Sequence, residues 1–172
     1  MGFQPAIKYF RLTGRRLSLM SSRNTIYRRK MEMFDPVKYL QCLHDNDYTV
    51  NPFLGFMGIR CEEIGHGYAR FSMAVKAEFL QGAGWVQGGV LVALADETIA
   101  HAIMTVLDKN EGLTTISLKS DFLKSVSQGS LIAEATVFKK GKTLVLADCL
   151  VRSDAGYDVL RCAETFLIMR DK

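Results

Sequence analysis

The chain has 172 residues, 48% of them hydrophobic, which is enough for one compact domain with a core of its own plus an appendage. Its net charge of +4 is an uneven average. Residues 1–31 hold eight basic side chains (Lys8, Arg11, Arg15, Arg16, Arg23, Arg28, Arg29 and Lys30) and no acid, leaving fourteen basic against eighteen acidic residues in the remainder, so a nucleic-acid-binding surface is excluded as the character of the domain.

Residues 1–33 read as a basic N-terminal extension: a transit peptide, a basic arm, or sequence lying ahead of the domain. Little in them repeats with an apolar period, so the domain, residues 34–172, is expected to fold without them. The expected compartment is the cytoplasm, or the mitochondrion if the extension is a transit peptide. Cys42, Cys61, Cys149 and Cys162 are widely spaced with no CxxC, and His44, His66 and His101 do not fall at zinc-ligand intervals from them. No metal, no cofactor and no obligatory disulfide is expected, and the cysteines read as small core residues of a reducing compartment.

The first structural signal is "FDPVKYLQCLHDND", with Asp35 as N-cap and Pro36 at the first helical position. A short helix follows to about Asn46, with Val37, Leu40 and Leu43 as its buried stripe. "LGFMGIRCEEIGHGYARFSMAV" reads as an antiparallel hairpin turning at Gly65-His66-Gly67; in its second half Ala69, Phe71, Met73 and Val75 alternate with Arg70, Ser72 and Ala74. The loop "KAEFLQGAGW" leads into a helix from about Val86 to Leu107, roughly 30 Å long. Its residues are apolar on nearly every face, so it is expected to be buried all round. Asp96 and Glu97 interrupt it, and with His101 they exclude a membrane span. Glu97 and His101, four apart, read as a structural pair, with the histidine satisfied at an interface.

Four strand-like segments complete the chain: "TTISLKSDFLKSV", "SLIAEATVFKK", "TLVLADCLVRS" and "DVLRCAETFLIM". Their separations are hairpin-sized, so a meander is expected. One long buried helix and about six long strands predict an α+β hotdog fold, in which a curled antiparallel sheet wraps a central helix. An open sheet edge and a partly uncovered helix predict pairing with a second copy, as a homodimer or a tetramer built from dimers.

"LQGAGWVQGGVLVALADETIAHA" resembles the signature of PaaI-like hotdog acyl-CoA thioesterases, a loop with Asn or Gln, then His-Gly-Gly, then an acid eight residues after the first glycine. Here the pieces are Gln81, then Gln87-Gly88-Gly89, then Asp96, and the likeness covers residues 50 to 170. The resemblance implies hydrolysis of an acyl-CoA to a free acid and coenzyme A. Gly88 would supply an amide to the thioester oxygen at a helix N-terminus, with Gly89 and Gln87 beside it and Gln81 adding a side-chain donor. Asp96, from the partner subunit, would act as nucleophile or general base, assisted by Thr115 at the start of the third strand, with Thr114 one register slip away. Lys140 and Lys142, with Lys139, lie where the family touches the phosphates of coenzyme A, although hairpin lysines are ordinarily just solvated. Gln87 departs from the family's histidine and cannot titrate near neutral pH. The competing expectation is a non-catalytic acyl-CoA-binding hotdog acting as a sensor or regulator.

Overall fold

A computed structural model describes residues 35–45 and 47–170, so the expectations for residues 1–33 lie outside the described residues. Helix α1 spans Pro36–His44, and the Asp35 carboxylate accepts from the amides of Val37 (3.0 Å) and Lys38 (3.2 Å). Its buried stripe starts at Pro36 and ends at Leu43, with Tyr39 half-buried between them, while Val37 is exposed. Of the expected stripe, Leu43 is buried and Leu40 half-buried, and only Val37 lies outside it, with Pro36 in its place. The Tyr39 hydroxyl, 2.8 Å from His101 Nε2 in the central helix, sets the face that α1 presents to the domain.

A second helix, α2 (Pro52–Met57), occupies the start of the segment expected to be strand. Asn51 caps it through the amides of Phe53 and Leu54, Pro52 opens it, and Gly58 closes it at φ 73°. These are ordinary start and stop signals, and "LGFMG" has no period of two to oppose them. The hairpin proper is β1 (Ile59–Gly65) and β2 (Tyr68–Ala74).

The central helix α3 runs over Gly88–Met104, shorter at both ends than its apolar run. Then come β3 (Glu111–Phe122), β4 (Ser130–Lys140), β5 (Leu144–Ser153) and β6 (Asp158–Arg170). All pair antiparallel in one six-stranded sheet of order β1-β2-β4-β5-β6-β3. The expected meander holds only from β4 to β6. Strand β3 pairs with β6 at one edge, and β4 with β2. The reason lies in residues 123–129, which make no tight turn. Leu123 N–H bonds Val159 O (2.9 Å) and Val86 N–H bonds Val126 O (2.8 Å), so the segment crosses the sheet end instead of reversing beside β3.

The inner sheet face alternates as the pleat demands: Ala69, Phe71 and Met73 on β2; Leu131, Ala133 and Ala135 on β4; Val145, Ala147, Cys149 and Val151 on β5. Leu94, Ala95, Ile99, Ala102 and Ile103 of α3 pack against it, each larger side chain contributing about 1.5–3 kcal/mol of apolar burial. On β6 the inward series is Leu160, Cys162, Glu164, Phe166 and Ile168, with one acid among them.

Helix α3 is not buried all round. Val92, Ala93, Asp96, Glu97 and Ala100 form a half-buried stripe in the single chain. The edge strand β3 has exposed Ile116 (55%) and Phe122 (58%), with Leu123 exposed just beyond it. Its register against β6 slips between Thr115 and Ser117, a bulge that re-aims the side chains beside it.

Candidate active site

The loop before α3 is held by its backbone. Gln81 N–H bonds Trp85 O (2.8 Å), Gly84 N–H bonds Gln81 O (2.8 Å) with Gly84 at φ 84°, and Gln87 N–H bonds Phe79 O (2.8 Å). The Gln81 side-chain oxygen accepts from Ala83 N–H at 2.5 Å, which fixes the amide's orientation and leaves its NH2 group as the donor. Gln81 and Gly88 line one groove of about 500 Å3, walled by Trp85, Leu91, Phe122 and Leu123.

Gly88 and Gly89 supply the first two amides of α3, which have no intrahelical acceptors. The two glycines are needed for different reasons. A Cβ on Gly88 would stand 3.0 Å from the Phe122 ring that lies over it, in the groove. A Cβ on Gly89 would stand 2.8 Å from the Gln87 side-chain oxygen. Gln87 is the N-cap, its Oε1 accepting from Val90 N–H at 3.2 Å. Gly89 therefore makes room for the cap as well as offering an amide.

Two helical turns along, Asp96 sits about 12 Å from Gly88, at eight residues of 1.5 Å rise. Thr115 Oγ1 donates to Asp96 Oδ1 at 3.4 Å, beside the β3 bulge; the bond links Asp96 to Thr115 rather than to its neighbour Thr114. Within one chain, then, Gln81, Gly88, Gly89 and Gln87 come together, Asp96 and Thr115 come together, and the two groups stay apart.

The thioesterase superfamily model matches residues 83–160, from the loop ahead of α3 into β6. Two relatives in Saccharolobus solfataricus are each named "Putative esterase". One is 33% identical over 93 residues, covering 54% of this chain and spanning 61% of that relative's length. The other is 26% identical over 140 residues, 81% of this chain and 97% of the relative. Among solved structures, a thioesterase from Haemophilus influenzae aligns with a TM-score of 0.66 at 22% identity, over 70% of this chain and 84% of its own. A thioesterase family protein from Silicibacter pomeroyi gives 0.69 at 20% identity, over 77% and 99%. The chain is thus similar to the thioesterase superfamily over residues 83–160, and its fold is that of the hotdog thioesterases.

In this hotdog domain Lys140 does not offer a free charge. Its ammonium lies 3.2 Å from Asp108 and 3.0 Å from Glu111, and Glu111 also bonds Arg170. Lys139 and Lys142 are exposed. All four cysteines are free thiols, with Cys149 and Cys162 in the core. Among the described residues no helix is long and apolar enough to cross a membrane.

Glu97, beside Asp96 on the half-buried stripe, and His101 find their hydrogen-bond partners inside their own chain. The His101 ring is buried against Phe71 and Tyr39, with Nδ1 2.5 Å from Glu97 O, so it is a core group and not an interface histidine. Asn51 Nδ2 donates to the Tyr39 hydroxyl (2.9 Å) and to Glu97 Oε2 (3.3 Å). Burial pulls the His101 pKa from 6.5 down to about 4, so the imidazole is neutral and the carboxylate 3.8 Å away is no ion pair at neutral pH. Burial, then the Asp96 charge, push Glu97 from 4.5 to about 7. The signs differ. A depressed histidine gives stability that is present above pH 6.5 and lost as pH falls toward 4, whereas a raised carboxyl gives stability that is lost as pH rises from 4.5 through 7. Glu97→Gln is expected to raise the thermal midpoint above about pH 7 and to flatten its decline with pH. Midpoints that fall as steeply as in the wild type would show that Glu97 does not titrate there.

The cap gives a second expectation. Gln87→Ala removes the acceptor for Val90 N–H and should cost about 1 kcal/mol in chemical denaturation. Gln87→His introduces the histidine of the PaaI-like pattern and, if the domain is the hydrolase proposed below, should retain or raise turnover. A collapse of kcat in folded Gln87→His protein would assign Gln87 a role of its own.

Proposed function

We propose that the domain is a PaaI-like acyl-CoA thioesterase whose active site is completed by a second copy of the chain. The observation that carries this reading is the placement of Asp96. It is held by Thr115 on the half-buried stripe of α3, next to an open β3 edge, while the donors of the α3 N-terminus face a separate groove. A second copy added along β3 would cover the apolar edge and set Asp96 of one chain against Gly88 and Gln81 of the other.

In that arrangement the Gly88 amide and the Gln81 NH2 polarise the thioester carbonyl. Asp96 either attacks the carbonyl carbon itself, giving an anhydride that water opens, or takes a proton from a water that attacks. In both routes the C–S bond breaks, one water is consumed, and the products are the free acid and the coenzyme A thiol. Exposed Lys142 and Lys139 are the cations available for coenzyme A phosphates, since Lys140 is already paired.

The test is thiol release from short, medium, long and aryl acyl-CoAs, run beside sedimentation of the enzyme. Turnover by a dimer or tetramer is expected. A folded monomer that hydrolyses thioesters would overturn the shared site. Tight binding of a non-hydrolysable analogue with no turnover of any substrate would replace the enzyme with a sensor.

A further inference from the structure

Among the inward positions of β6, Glu164 is out of place. It is 3% exposed, between Cys162 and Phe166 on the face turned to α3. A glutamate so buried is rarely left ionised without a partner, because removing its charge from water is expensive.

Its neighbours show how that cost is met. Cys162 Sγ donates to Glu164 Oε1 at 3.4 Å, and the Ser120 hydroxyl lies 3.3 Å from the same sulfur. Oε2 is buried and meets no donor. The Asp96 carboxyl lies within hydrogen-bond reach of the Glu164 side chain. Two ionised carboxylates are both acceptors and cannot satisfy one another, whereas a single proton on the pair can. Glu164 is the more deeply buried of the two, so the shared proton belongs on Glu164.

We propose that Glu164 is a positioning residue for Asp96: its carboxylic acid donates a hydrogen bond that holds the Asp96 carboxylate from the core side, while Thr115 holds it from the β3 edge.

Burial, followed by the hydrogen bond and charge of Asp96, raises Glu164 from 4.5 to about 8. The remaining titratable groups facing it are the thiols of Cys162 on its own strand and Cys149 on β5; β3 places Leu118 opposite it. Burial pushes both thiols up, Cys162 to about 12, so they keep their protons while Glu164 titrates. Above about pH 8 Glu164 then loses its proton, the hydrogen bond to Asp96 is lost, and a like charge appears beside the acting carboxylate. No covalent bond changes at Glu164, and its proton stays in place through the reaction.

The inference rests on Asp96 being the acting carboxylate of the proposed hydrolase, so its first test uses no substrate. Protein labelled with 13C at glutamate side-chain carboxyls is titrated by NMR, and the Glu164 signal is assigned by its loss in Glu164→Gln. A midpoint near 8 that falls back toward the ordinary glutamate range in Asp96→Asn is expected. An ordinary midpoint, or one unmoved by Asp96→Asn, overturns the pairing whether or not any thioester is hydrolysed. A coupled titration in a protein that turns over no thioester supports the pairing and overturns the hydrolase.

Kinetics then test the positioning role. Glu164→Gln keeps a donor at every pH, and should hold kcat at pH 7 within about threefold while losing the fall in rate near pH 8. Glu164→Leu fills the core without a donor, and should lose at least about tenfold in kcat with KM unchanged. Wild-type kcat in Glu164→Leu overturns the role. If that variant fails to fold, a basic fall in rate that persists in Glu164→Gln overturns it instead.

Discussion

Asp96→Asn is expected to leave the fold and acyl-CoA binding intact while lowering kcat by at least about a hundredfold, the scale of a positioned acid–base group. The substitution nearly preserves shape, and an asparagine oxygen can still accept from Thr115 Oγ1. It removes both the nucleophile and the base. It also removes the like charge that faces Glu164 and Glu97, so the folded chain should be no less stable, and more so at alkaline pH. An acid with only a structural role would give the opposite result, little change in rate with a change in stability. Steady-state hydrolysis of several acyl-CoAs, with calorimetric binding of a non-hydrolysable thioether analogue, separates the two. Near-normal kcat in a variant that binds the analogue normally would rule out Asp96 as the acting group.

The parts of this structure that could be read from the sequence are those set by local chemistry. Strand β4 is found residue for residue, because Ala133 and Ala135 alternate with Glu134 and Thr136 and glycines stand at both ends. The centre of α3 and its interrupting acid were equally plain. Strand order was not, because β3 joins β6 across a long sequence separation and nothing in residues 123–129 announces that crossing. Helix α2 is signalled by Asn51, Pro52 and Gly58, but its apolar residues run straight into those of β1, so hydropathy alone draws no boundary between them.

In the site, the loop and both glycines were legible as a motif, but the separate duty of Gly89 depends on where the Gln87 oxygen points. Thr115 follows from register, and the bulge beside it is invisible in sequence. Glu164 left one sign, an acid at the centre of the series Leu160, Cys162, Glu164, Phe166, Ile168. Period two puts all five on one face, and only the packing of α3 shows that this face is the inner one, where Asp96 lies.

Gly88→Pro is expected to cost about 10²- to 10³-fold in kcat, the effect of deleting one oxyanion donor. The substitution is aimed at a single atom. Gly88 is the first residue of α3, where proline is well tolerated and the lost N–H has no intrahelical partner. Gln87 before it is extended (φ −65°, ψ 134°), the conformation that proline requires of its predecessor. The added Cβ comes first against the Phe122 ring, at 3.0 Å, and that exposed side chain can move aside. Folding should therefore survive, as a thermal midpoint near that of the wild type would show. The variant also tests the shared site. In a mixed dimer of Gly88→Pro and Asp96→Asn chains, one site receives Gly88 from one chain and Asp96 from the other, and is intact, while the second site carries both lesions. Equal mixing with free exchange makes half the dimers mixed, so two nearly inactive preparations should together recover about a quarter of wild-type activity. If both groups acted within one chain, every site in the mixture would carry one lesion, and activity would stay at the level of the two variants alone.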